Sequence, residues 1–272
     1  MRICIIIVHF GELPPWFPVW QITAAENSGI DFHLFTNSKE NVAAKNVICH
    51  EMDLGAFNRM ESVVRLGLRL EIPYKLCDLR PAFAKIFPDL VASYDYWGWG
   101  DLDVVYGRIR ECVAGSLGRF DYIATGWNGQ SGPLALLRNH EVVNTLFLSM
   151  PNWRDKMNDR VPRGLDEIDF LDILKLRVAC DIVLRECLCD LPARLVGGRL
   201  VGVYSGREYV MYHFGGNYPW IRASITKNVR WLAKSLASGD SIYIDRRGKL
   251  GGRFYRLALL LDRMLKRLAV FR

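Results

Sequence analysis

The chain has 272 residues, 50% of them hydrophobic and 24% charged, and a net charge of +7. This length buries an ordinary core without disulfide or metal staples, and no stretch reaches the roughly 18 uninterrupted apolar residues that a spanning helix needs. The seven cysteines, Cys4, Cys49, Cys77, Cys112, Cys180, Cys187 and Cys189, are odd in number and scattered, which favours reduced thiols in a cytoplasmic protein over a disulfide framework.

The first apolar run, "ICIIIV", is too short for a secretory signal and leads into "HFGELPPW" instead of a small-residue cleavage site, so it reads as a core strand. "PPWFPVWQITAAENSG" has prolines at its front and Gly29 at its end, the signature of a helix with a glycine stop. "DFHLFTN" from Asp31 and "NVICHEM" from Asn46 read as strands. "FNRMESVVRLGLRL" from Phe57 has helical apolar spacing.

"YDYWGW" from Tyr94 is aromatic and strand-like, "GRIRECVAGSLG" reads as a helix closed by Gly118, and "DYIATG" and "PLALLRN" as strands. This alternation predicts an α/β fold with a mainly parallel sheet flanked by helices, in which ligands bind at the carboxyl ends of strands. From Gly164 the pattern turns mostly helical. "LDEIDFLDILKLRVACDIVLREC" reads as one long amphipathic segment, "YVMYHF" from Tyr209 as a late strand and "NVRWLAKSLASG" as a helix. The expected division is a catalytic domain over residues 1–220 and a basic helical extension over 221–272.

That extension holds 13 Lys and Arg against 3 Asp and Glu, so the remainder of the chain is slightly acidic. Its last stretch, "RFYRLALLLDRMLKRLAVFR", gathers leucines on one face. A membrane reading places those leucines among acyl chains and the arginines on anionic headgroups, through residues 250–272. The alternative is a helix packed on the domain with a solvated basic face. No nucleic-acid module accompanies the charge, so no nucleic acid is expected as a partner.

In "WGWGDLDVVYG" two carboxylates, Asp101 and Asp103, follow buried-looking aromatics. In an extended chain residues i and i+2 project to one side, and two like charges held together need a cation or donors. A hard divalent ion, Mn²⁺ or Mg²⁺, meets that need and shares its shell with phosphate. The bland alternative is a solvated loop whose carboxylates cap the next helix, and the apolar flanks argue against it.

The stretch "PYKLCDLRPAFAKIFPDLVASYDYWGWGDLDVVYGRI", Pro73 to Ile109, resembles the core of bacterial GT-A-fold glycosyltransferases of capsule and lipopolysaccharide O-antigen loci. In that group a lysine, an aspartate and a proline precede an aromatic strand ending in Asp-x-Asp, and the resemblance extends more loosely from Met1 to about Trp220. It implies a GT-A-like fold that transfers a sugar from a nucleotide donor, UDP-linked, to a hydroxyl of a surface polysaccharide or lipid-linked glycan. Asp103, with Asp101, would hold the metal on the diphosphate. His9, Phe10 and Gly11, with Thr36 and Asn37, would line base and ribose, although Asn37 stands where such folds often have Asp. Lys75, Asp78 and Arg80 would lie near diphosphate or ribose, Trp127 and Asn128 near the donor sugar, and His213 of "MYHFGGNY" would be a third metal ligand.

Asp166 and Glu167 sit at the start of an expected helix, and acids there are favoured by the helix dipole whatever the function. Their catalytic reading is that one removes the acceptor proton in an inverting transfer. His213, taken without the resemblance, reads as a satisfied core histidine. The rival enzyme class is a sugar nucleotidyltransferase, but "HFGELPPW" is not the glycine-rich basic loop that class requires. Outside catalysis, the rival is a peripheral membrane or interaction protein with a degenerate transferase fold. The expected location is cytoplasmic, peripheral on the inner face of the cell membrane.

Overall fold

The computed structural model describes residues 1–40, 42, 44–124, 132–182, 193–214, 219–244 and 250–251. Its first strands are β1 (Ile3–His9), β2 (Asp31–Thr36), β3 (Val47–Glu51), β4 (Tyr96–Gly100) and β5 (Val104–Tyr106). Next come β6 (Tyr122–Ala124), β7 (Leu134–Arg138), β8 (Cys180–Ile182), β9 (Ala193–Val196) and β10 (Arg199–Gly202). The last are β11 (Glu208–Tyr209), β12 (Met211–His213), β13 (Ile242–Ile244) and β14 (Leu250–Gly251). The helices of the first half are α1 (Phe17–Ala25), α2 (Leu54–Arg59), α3 (Glu61–Arg65), α4 (Phe83–Ile86), α5 (Pro88–Val91) and α6 (Ile109–Val113). Then follow α7 (Glu141–Asn144), α8 (Trp153–Asn158), α9 (Asp169–Arg177) and α10 (Pro219–Ala237), and a 3₁₀ segment spans Pro73–Ala82.

Chain contacts define two units. The first comprises Met1–Pro14, Asn27–Leu102 and Arg110–Arg185, and the second Pro15–Glu26, Asp103–Ile109 and Glu186–Arg272. The first unit is built on a seven-stranded sheet of order β3-β2-β1-β4-β7-β6-β8. β3, β2, β1 and β4 run parallel, β7 is antiparallel to both its neighbours, and β8 is parallel to β6. The expected α/β class with a mainly parallel sheet is therefore what the chain adopts. Because β1, β2 and β4 run the same way, their carboxyl ends share one edge of the sheet.

The aromatic strand β4 shows how residue choice fixes position. Trp97 and Trp99 project to one face and are fully buried in a core with Leu79, Phe83, Phe87, Leu137 and Phe170. The Trp97 indole N–H donates to Asn144 Oδ1 at 2.8 Å, so its one polar atom is satisfied. Gly98, between the tryptophans, faces the other way. A Cβ there would lie 2.0 Å from the Ala135 carbonyl oxygen, so only glycine lets β4 and β7 approach.

Two expected helices are shorter than their patterns. The helix expected from Phe57 divides at Met60, whose ψ of 133° is extended. Asn58 then bridges to Leu70, accepting from its N–H and donating to its carbonyl, each at 2.8 Å. The long segment expected from Leu165 ends as helix at Arg177. Its continuation forms β8, because the open edge of β6 satisfies its backbone groups as a strand. Residues 183–192, the rest of that segment, lie outside the described residues.

The second unit holds an antiparallel sheet of order β11-β10-β9-β13-β14 and a two-stranded ribbon of β5 with β12. Its core joins Val19 of α1, Val105, Leu195, Leu200, Tyr212, Phe214, Ile225, Leu232 and Ile242. Among the described residues no helix is long and apolar enough to cross a membrane. Of the 250–272 segment, Leu250 and Gly251 form β14, and 252–272 lie outside the described residues.

A buried polar chain crosses the face of β2 and β3. Tyr94 donates its hydroxyl to Asp31 at 2.8 Å, receives from His33 Nε2 at 2.9 Å, and His33 Nδ1 pairs with His50 Nε2 at 2.9 Å. Burial, then the neighbouring His50, lowers the His33 pKa from 6.5 to about 4, against the opposing pull of Asp31. The unfolded chain thus binds the proton first as pH falls. The neutral His33 contributes its full stability above pH 6.5 and loses it between pH 6.5 and about 4. The loss over that window should be about 3 kcal/mol, and His33→Gln, which cannot titrate, should remove that part of the slope in urea unfolding run at several pH values.

Candidate metal and acid site

β4 delivers Asp101 to the carboxyl edge of the parallel strands, where the Asp101 N–H donates to the Pro133 carbonyl at 3.0 Å. Leu102 is buried and the chain bends there, in place of the extended path expected from the sequence. Asp103 follows directly and leads into β5. β12 pairs antiparallel with β5, His213 opposite Val104, and the Phe214 N–H donates to the Asp103 carbonyl at 3.1 Å. That register brings His213 Nε2 to 3.5 Å from Asp103 Oδ1. Asp103 and His213 each offer one ligand atom within 4.8 Å of the other, and Asp101, two residues before Asp103 in the chain, is likewise partly exposed.

Two carboxylates and one imidazole make an oxygen-rich donor set that suits Mn²⁺ or Mg²⁺ and leaves positions for further oxygens. The residues present fit a divalent ion of that class.

The other predicted residues fall into three groups. At the ends of β1 and β2, the Gly11 N–H donates to Asn37 Oδ1 at 2.7 Å, and His9 Nε2 lies 2.9 Å from the Glu12 carbonyl. These strand ends, with Phe10 and Thr36, share the sheet edge that carries Asp101. Gly11 has φ +117° and open space where a Cβ would be.

Lys75 and Asp78 form the second group, both buried, with Lys75 Nζ 2.8 Å from Asp78 Oδ2. Lys75 also donates to the Val161 carbonyl at 2.7 Å. Asp78 accepts from the Arg163 N–H at 2.8 Å and from the Leu165 N–H at 2.9 Å. Their charged atoms are engaged with each other and with the 161–165 loop, which they fasten ahead of the acids.

Arg80, Asp101 and Asp166 form the third. Arg80 Nη1 donates to Asp166 Oδ2 at 2.9 Å and to the Gly132 carbonyl at 2.6 Å, and Nη2 donates to Asp101 Oδ1. Burial pushes the Asp166 carboxyl up to about 6, with Arg80 pulling the other way. Asp166 and Glu167 lie in the turn before α9 instead of in its first turn. Asp166 is buried, whereas Glu167 is partly exposed and passes over Gly132. A Cβ on Gly132 would lie 1.9 Å from Glu167 Oε1, so glycine is required for that carboxylate's position. Gly132 and the Arg80 bridge carry no mark in sequence spacing. The one available signal was the glycine-rich run "GWNGQSGPLALLRN". Trp127 and Asn128 of that run lie outside the described residues.

A family model described as "Family of unknown function (DUF6625)" matches residues 5–198. No curated protein matches the chain. Among solved structures it is similar to a galactosyltransferase, LgtC, in complex with donor and acceptor sugar analogs. That likeness has 13% identity and a TM-score of 0.44, covering 85% of this chain and 95% of that one. It is also similar to a glycosyltransferase involved in the glycosylation of the major capsid of PBCV-1, at 10% identity and a TM-score of 0.46, covering 85% of this chain and 100% of that one. These are distant likenesses.

Removing one member of a buried pair leaves an uncompensated charge. Asp78→Leu should therefore cost about 3–5 kcal/mol in urea unfolding. Lys75→Met should cost less, because Asp78 keeps two backbone donors.

Proposed function

The chain belongs to the DUF6625 family, a family of unknown function, and from that premise we propose that it is a metal-dependent glycosyltransferase. It moves a sugar from a UDP-linked donor to a hydroxyl of a surface polysaccharide or lipid-linked glycan, with inversion. The observation that carries this reading is the Asp103–His213 pair set by the β5–β12 ribbon, with Asp101 two residues before it at the carboxyl end of β4. The resemblance of Pro73–Ile109 to transferase cores supports the substrate class.

Asp101, Asp103 and His213 would hold the divalent ion, which supplies countercharge for a departing diphosphate. The backbone and side chains of His9–Gly11 and Thr36–Asn37 would hold base and ribose at the same sheet edge. Trp127 and Asn128 are assigned to the donor sugar on the sequence resemblance.

Between the two candidate bases, exposure favours Glu167. Asp166 is turned to Arg80 and buried, whereas Glu167 is reachable and unencumbered by that guanidinium. Glu167 would take the proton of the acceptor hydroxyl as the sugar carbon is attacked. Asp166, Lys75 and Asp78 act at one remove, holding the walls in place. The basic residues of 252–272 would bring the chain to an anionic membrane surface where a lipid-linked acceptor resides.

A panel of nucleotide sugars titrated calorimetrically with Mn²⁺ tests the reading, and at least one UDP-sugar should bind the native chain. Asp103→Ala should abolish the Mn²⁺ dependence of that binding. If no nucleotide sugar binds with metal present, the proposal fails. Glu167→Gln should retain donor binding while transfer falls about 10²- to 10⁴-fold, measured as product formed per minute.

A further inference from the structure

The guanidinium of Arg80 ties together three segments that are far apart in the chain: Asp101 after β4, the Gly132 carbonyl before β7, and Asp166 before α9. Arg80 itself projects from the 3₁₀ segment, whose neighbouring Lys75–Asp78 pair fixes it against the 161–165 loop. Its guanidinium is a permanent cation with a planar, pre-organised set of donors.

We infer that Arg80 is a positioning residue for the cation site. It grips one oxygen of Asp101 and so sets the orientation in which that carboxylate meets the divalent ion. Through the same guanidinium it sets the Gly132 and Asp166 wall on which Glu167 lies. A ligating carboxylate with one oxygen held by a neighbour loses rotamer freedom before the ion arrives, so less is lost when the ion binds. Lysine keeps the charge but lacks the fork that reaches three acceptors at once. This inference rests on the metal-site reading above, and it concerns geometry, not net charge.

The test measures Mn²⁺ affinity directly, from the electron paramagnetic resonance signal of free Mn²⁺ titrated against the full chain. Arg80→Lys preserves the local charge. The double variant Arg80→Met with Asp166→Asn removes one positive and one negative charge together. Both should weaken Mn²⁺ binding about 10- to 100-fold, with near-ultraviolet circular dichroism confirming a native fold, and Asp103→Ala gives the reference for losing a ligand. Unchanged Mn²⁺ affinity in either folded variant overturns the inference, as does a native chain that binds no Mn²⁺. If the Mn²⁺ losses appear but no nucleotide sugar binds, the transfer reading falls and the positioning role stands. If sugar binding holds and the variants keep native Mn²⁺ affinity, the reverse is true.

Discussion

The first unit depends on one constraint: a charge withdrawn from water must find its counter-charge and its hydrogen bonds in the protein. The 3₁₀ segment Pro73–Ala82 carries three such charges, and each also bonds to a segment distant in sequence. Lys75 and Asp78 answer one another and capture backbone groups at Val161, Arg163 and Leu165. Arg80 is answered by Asp101 and Asp166. The segment consequently acts as a polar keel between the end of β4 and the turn before α9. Neither position could be held as firmly by apolar packing, which is non-directional.

Around that keel, the sheet supplies direction. Parallel β1, β2 and β4 bring three chain ends to one edge, and the close approach of β4 to β7 at Gly98 fixes how far Asp101 reaches. Within the second unit, the β5–β12 ribbon places His213 by register, since pairing it with Val104 puts the imidazole beside Asp103. A one-residue slip of that ribbon would turn His213 to the opposite face. Ligand geometry here is a consequence of hydrogen-bonded strand pairing more than of the side chains themselves.

The acids near α9 show how environment separates chemically similar groups. Asp166 and Glu167 are consecutive, yet one is buried against a guanidinium and the other lies partly exposed over a glycine. Desolvation raises the Asp166 pKa while Arg80 retains it as a partner. A buried, paired carboxylate of this kind is suited to holding structure, and an accessible one to exchanging protons.

Local pattern alone determined the alternation of strands and helices, the buried aromatic strand before Asp101, and the Asp-x-Asp pair itself, because side-chain period and apolar content are properties of neighbouring residues. His213 came forward as a ligand only through the resemblance, since its place in a late strand reads as a core histidine. What only the tertiary structure decided was which charges meet: Arg80 joins residues 21 and 86 positions away in the chain. Lys75 and Asp78, expected near diphosphate or ribose, likewise bond to Val161, Arg163 and Leu165, 85 to 87 positions away. The helix pattern beyond Arg177 yielded to a strand because an open sheet edge offered backbone partners that no local signal describes. Pairings of this kind depend on distances closed by folding, and a sequence lists residues without those distances.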